Sequence, residues 1–173
     1  MLSKRLDNVA PSVTVGISSK VKEMRANGID VISLSIGEPD FNIPEKAKEY
    51  GKKSLDDNKT KYDFPAGIPE LRQEICKKLK RENHIDYTPD QIVLSSGAKN
   101  SITNVLLVTT DPGSEVLLPL PYWVSYSEMV KVVNAVPVEV KTSKENNFKL
   151  TKDDLLRAIT DKTRLLILTN PSN

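Results

Sequence analysis

Cysteine occurs once in the chain, at Cys76, and histidine once, at His84. One cysteine excludes an intramolecular disulfide and any cysteine metal cluster. It shares a helical face with Leu71, Ile75 and Leu79, where buried apolar filler is the expected role. His84 sits in the polar break Glu82-Asn83-His84. A Ser-His-Asp triad or a zinc site would have to rest on that one loop histidine, so both are discounted and no metal ligands are assigned. Long apolar runs are missing too. Leu165–Leu168 is far too short to cross a bilayer, and no membrane association is expected. The opening MLSKRLDNVAP has charge but no apolar stretch of the kind a signal peptide needs, which makes the cytoplasm the default compartment. Charge of one sign is also scarce. A net +2, dispersed along the chain, gives no case for nucleic acid.

What is present describes an ordinary globular protein: 173 residues, 38% apolar and 28% charged. This length suits one domain with a substantial core, or part of a larger one. In chain order, an irregular arm reaches Pro11 and a helix is expected from about Ser18 to Ala26, stopped by Gly28. A short strand is expected over Asp30–Ser35, opening onto the loop Ile36-Gly37-Glu38-Pro39-Asp40-Phe41. Pro44 starts a helix to about Leu55, the stretch from Asp56 to Gly67 is irregular, and Pro69 starts a helix to about Glu82.

From Gln91 the pattern alternates. A buried strand Ile92-Val93-Leu94 is expected, then the turn Ser95–Lys99 and a helix from about Ala98. Further strands are expected at Glu115–Leu120, Val136–Val140 and Arg164–Thr169. Helices are expected up to Val133 and over Lys152–Ile159, the latter capped by Thr151. Alternation of apolar strands with helices argues an α/β fold, three layers deep, with a mainly parallel sheet covered on both faces. The end, Asn170-Pro171-Ser172-Asn173, follows a strand where another helix is due, and a truncated chain is the expectation.

Chemistry concentrates at Ser95-Ser96-Gly97-Ala98-Lys99. A strand, a turn of small residues and a helix start direct free N–H groups and the positive end of the helix dipole at one point, which suits an anion such as a phosphate. By itself the turn is also compatible with a plain connection.

Six loops together resemble the class I aminotransferases, pyridoxal-phosphate enzymes of fold type I, and especially aspartate aminotransferases of the bacterial kind. They are SLSIGEPDF (33–41), KTKYDFPAGIPELR (59–72), SSGAKNSI (95–102), DPGSEVLL (111–118), PYWVSY (121–126) and TNPSN (169–173). The resemblance spans essentially the whole chain. It implies residues 1–45 as an N-terminal arm with a small-domain segment, and 46–173 as the first part of a cofactor-binding large domain.

The resemblance also implies roles. Gly97, Ala98 and Lys99 would hold the phosphate of pyridoxal 5'-phosphate, and Trp123 would stack on its ring. Asn173 would bond its phenolic oxygen near the substrate, and Gly37 would leave room for the substrate carboxylate. Tyr62 would reach the phosphate in a neighbouring subunit, which implies a homodimer. On the residues alone, Trp123 is compatible with a core aromatic, Asn173 and Gly37 with turn residues, and Tyr62 with an exposed loop aromatic. Lys99 is not the Schiff-base lysine of the family, and its bland reading is a surface lysine. That lysine, the carboxylate facing the pyridine nitrogen and the arginine clamping the substrate all follow the position of Asn173 in the family. No catalytic residue is therefore assigned in this chain.

The expected activity of an intact protein is amino transfer between an aspartate-like amino acid and a 2-oxo acid, with the 173 residues inactive alone. Two other readings stay open. One is a different reaction on the same cofactor, such as a lyase or synthase; the other is a non-catalytic ligand-binding or interaction domain.

Overall fold

The computed structural model describes residues 2–171. The chain forms two compact units, one of residues 17–95 and one of residues 1–16 with 96–173, so that the division falls within the first helix.

Helix α1 (Val13–Ala26) begins earlier than the sequence pattern implies, because Gly16 is tolerated inside it. It stops as expected. Gly28 takes φ +78°, and the N–H groups of Gly28 and Ile29 bond to the carbonyls of Arg25 and Met24. Helix α2 (Glu45–Asp56) is preceded by Pro44, and α3 (Pro69–Lys78) has Pro69 in its first turn, where a missing N–H costs nothing. The last turn expected of α3 is wound differently. Leu79–Asn83 is a π-type turn closed by His84 in the left-handed region, φ 57°.

Two expected strands are absent among the described residues of this unit. Asp30–Ser35 joins no ladder, and Ile32 and Leu34 are 89% and 95% exposed. Ile92–Leu94 follows a 3-10 turn (Pro89–Gln91) and is not a buried strand: Val93 is 68% exposed, and Leu94 N–H bonds to Ala66 O at 2.9 Å. The physical reason is the same in both. An apolar run becomes a strand only when a partner takes its N–H and C=O groups, and the unit offers these segments no such partner. The Leu94 side chain does find a seat on Gly67. A Cβ placed on Gly67, at φ +100°, would lie 2.8 Å or closer to three atoms of Leu94.

The other unit is the α/β body. Helix α4 (Ala98–Thr109) leads to β1 (Glu115–Pro119), α5 (Ser125–Val132) to β2 (Val136–Val140), and α6 (Lys152–Ala158) to β3 (Thr163–Leu166). The sheet is parallel with order β2–β1–β3. Leu117 sits opposite Val138 and Leu166, while the register shifts between Glu115 and Val116 against β3. The expected strand at Arg164–Thr169 ends at Leu166, after which Ile167 N–H still reaches Leu117 O at 3.0 Å. Central β1 is buried through Val116, Leu117 and Leu118. With Leu106 of α4 and Tyr126, Met129 and Val130 of α5, Val116 and Leu118 form the core. The capping of α6 is as expected: Thr151 Oγ1 accepts from Asp154 N–H, and Asp154 returns a bond to Thr151 N–H. The α/β class with a parallel sheet is thus the observed one.

Candidate cofactor and substrate site

Gly97 is the cap residue of α4 and has φ +86°, a conformation natural to glycine and strained for other residues. No side chain caps this helix end, and its first turn closes with Ser101 N–H on Gly97 O at 3.1 Å. The N–H groups of Ala98, Lys99 and Asn100 precede that closure, as the first orphan donors of a helix do. Open space surrounds the position a Cβ of Gly97 would occupy, so a bulky anion has room to approach. The turn fits a phosphate.

The second element is the loop after β1. Trp123 packs on the core, with Tyr126 edge-on to it at 5.5 Å and an interplanar angle of 90°. Lys99 lies over the indole, Nζ 4.7 Å from the ring centroid. At an exposed site such a contact contributes about 0.5–1 kcal/mol. Lys99, which the family resemblance makes a backbone holder of the phosphate, is exposed and brings a positive charge to the ring that the resemblance assigns to stacking. No local pattern in the sequence could show it, because the contact joins two separate loops.

Gly97, Ala98, Lys99 and Trp123 therefore belong to one unit, and Lys99 and Trp123 touch. Gly37 and Tyr62 belong to the other. Gly37 lies in an exposed irregular loop with nothing within 4 Å of a Cβ built on it, and Tyr62 projects into solvent in the loop before α3. Asn173 lies outside the described residues.

Two titrating groups flank the Trp123 loop. The Tyr122 phenol is pushed up from its ordinary value by burial, then by its hydrogen bond to the Glu139 carboxylate at 2.8 Å. Glu128 is held low: burial acts to raise it but is outweighed by Lys131, the Ala10 N–H and Ser127. Ala10 N–H reaches Glu128 Oε2 at 2.7 Å and Lys131 Nζ reaches Oε1 at 2.8 Å. Sequence reasoning missed Tyr122, Glu139 and Glu128. Only the adjacency of Tyr122 to Trp123 offered a signal. Among the described residues no group of three or more His, Cys, Asp or Glu could hold a metal ion, and no helix is long and apolar enough to cross a membrane.

A helix end open to a phosphate, with Lys99 of its first turn over an indole ring, is compatible with a cofactor-binding α/β fold. Residues 29–173 match the family described as aminotransferase class I and II, and the chain belongs to that family, whose cofactor is pyridoxal 5'-phosphate. Over 173 residues it is 43% identical to an aspartate aminotransferase of Bacillus sp. (strain YM-2), covering all of this chain and 44% of that protein. A probable aspartate/prephenate aminotransferase of Thermus aquaticus is 43% identical over 172 residues, 99% of this chain and 45% of its own. Among solved structures, the aspartate aminotransferase from Thermus thermophilus with maleate superposes with a TM-score of 0.96 at 42% identity, over all of this chain and 45% of that one. The chain thus spans a little under half the length of the relatives it matches.

Proposed function

We propose that these residues are the phosphate-holding part of a pyridoxal-phosphate-dependent aminotransferase. In a longer protein, residues 1–45 would form the arm and a small-domain segment, and 46–173 the first part of the large domain. The observation that carries the reading is the pairing of the uncapped α4 end at Gly97 with Trp123 in the same unit. Gly97, Ala98 and Lys99 would hold the phosphate through their backbone, and Trp123 would fix the ring plane and keep water off one face. Bound there, the cofactor supplies an electron sink for the amino acid's α-carbon. Gly37 would leave space for the substrate carboxylate, Asn173 would donate to the phenolic oxygen, and Tyr62 would serve the site of a second subunit in a cytoplasmic homodimer.

The favoured substrate pair is an aspartate-like amino acid and a 2-oxo acid. A second carboxylate calls for a cation near the ring, and Lys99 places one 4.7 Å from the Trp123 centroid. The names of the Bacillus and Thermus relatives and the maleate in the Thermus thermophilus structure, itself a dicarboxylate, support the same preference. The 173 residues alone would bind cofactor weakly and turn nothing over, because no lysine here is assigned the covalent role.

Trp123 is the one tryptophan of the chain, so its emission reports the site directly. Titration with pyridoxine 5'-phosphate, which lacks the aldehyde that reacts with surface lysines, is expected to quench it. Gly97→Val, strained at φ +86°, should weaken that binding about tenfold or more. Emission indifferent to the probe, or a variant that binds equally well, would refute the assignment.

A further inference from the structure

The segment that carries Trp123 leaves β1 and is fastened to the end of β2. Leu120 N–H donates to Val140 O at 2.9 Å, and Thr142 Oγ1 donates to Leu120 O. One step from the indole, the Tyr122 hydroxyl donates to Glu139 Oε1 at 2.8 Å. On the other side, Trp123 O accepts from Tyr126 N–H at 2.9 Å, which ties the indole's residue to the first turn of α5.

These bonds do different work. The two at Leu120 engage only its backbone groups, so they would form with many side chains at that position. The Tyr122–Glu139 bond is a side-chain link one residue from Trp123, and it spans from the loop to β2. Glu139 is exposed, and its carboxylate accepts from the Tyr122 phenol. A hydrogen bond to a charged acceptor is stronger and more directional than one between neutral groups. Tyr122 also packs on the same core cluster as Trp123, so holding its hydroxyl holds the ring that precedes the indole. A single bond of this kind contributes modestly to stability. Its consequence is geometric: stacking needs the ring plane held before the ligand arrives.

We propose that Glu139 is a positioning residue, which sets the plane of Trp123 through the Tyr122 hydroxyl. This rests on the reading that Trp123 stacks on the cofactor ring. The test uses the lone tryptophan of the 173-residue chain. Glu139→Ala and Tyr122→Phe should each raise acrylamide quenching of Trp123 about twofold and weaken pyridoxine 5'-phosphate binding about fivefold, the scale of one lost hydrogen bond. Glu139→Gln keeps an acceptor oxygen and should restore most of both readings, which a purely electrostatic role would not do; a role of bulk alone would leave Tyr122→Phe unchanged.

Unchanged quenching and binding in Glu139→Ala would overturn the proposal, as would failure of Glu139→Gln to restore them. Should Glu139→Ala lose its fold by circular dichroism, Tyr122→Phe, which removes a single oxygen, decides the matter alone. The two readings separate cleanly. A wild-type emission blind to the phosphate probe removes the cofactor assignment, while acrylamide quenching still judges whether Glu139 sets the indole.

Discussion

Residues 96–173 and residues 17–95 differ in what they bury. Every described residue of the buried class, from Leu106 through Val116, Leu117 and Leu118 to Val140, belongs to the first stretch. Helices α1, α2 and α3 contain no buried residue, and Ile32, Leu34 and Phe41 stand largely in solvent. Burial of apolar area is the dominant favourable contribution to folding, so the α/β body is held by its core. The 17–95 unit depends on turn devices, the Gly28 stop and the prolines at the starts of α2 and α3, and on the Arg72 guanidinium bonded to Pro89 O. The phosphate turn and Trp123 therefore rest on the better-packed part, and Gly37 and Tyr62 on the less packed.

The sharpest way to break this contrast is to delete matched side chains. Leu118→Ala empties a fully buried site and should cost about 2–5 kcal/mol. Leu34→Ala, at a position 95% exposed, should stay within about 0.5 kcal/mol. Urea unfolding of the two variants checks this directly. Comparable losses would mean that Leu34 is buried in solution and that the two regions do not differ as described.

Many elements of both regions were legible in the sequence, though not the contrast in burial, and the failures have a common origin. Pro44, Pro69, Gly28 and Thr151 act within a turn or two of themselves, so the helices they start, stop or cap were found from local pattern. The β1 and β2 runs were found because alternation with helices marks buried parallel strands. Asp30–Ser35 and Ile92–Leu94 also carry apolar residues, but a strand is defined by its partner, and partners are not written locally. The site divides the same way. Gly97 could be picked out from its loop, and Trp123 only through the family resemblance. The seating of Lys99 on Trp123 and of Tyr122 on Glu139 could not, since each contact is made by the fold and not by spacing.

A second prediction sharpens the comparison from the other side, at the one crowded point in the 17–95 unit. Gly67→Ala places a methyl 2.4 Å from Leu94 Cδ1 and 2.8 Å from its Cβ, on a backbone at φ +100°. Because the obstructing atoms include Cβ, a rotamer change cannot relieve the clash. The expected loss is about 1–3 kcal/mol by thermal melting. Leu94→Ala in the same background should recover little, since the Cβ and the left-handed backbone both persist. Full recovery would show that only the tip of Leu94 resists, and that even this seat is loose.

The smallest expected effect concerns whether the N-terminal arm belongs energetically to the α/β body. Ala10 N–H donates to Glu128 Oε2, and Lys131 Nζ sits 2.8 Å from Oε1. Burial works against the Glu128 charge, but Lys131, the Ala10 N–H and the Ser127 hydroxyl together hold its value below the ordinary 4.5. The sign follows from that direction. A carboxyl with a lowered folded value contributes stability that is fully present above the unfolded value and lost as pH falls through the folded one. With Lys131 about a third exposed, the effect should stay below about 1 kcal/mol. The amide of Ala10 should accordingly lose hydrogen-exchange protection as pH drops below 4.5, ahead of the β1 amides. Glu128→Gln retains an acceptor for the amide but cannot titrate, so in that variant the protection of Ala10 should be lower at neutral pH and flat with acid. Were Ala10 equally protected at every pH in the parent chain, the arm would owe its place to packing around Pro11 and Val13, and the carboxylate would be incidental to it.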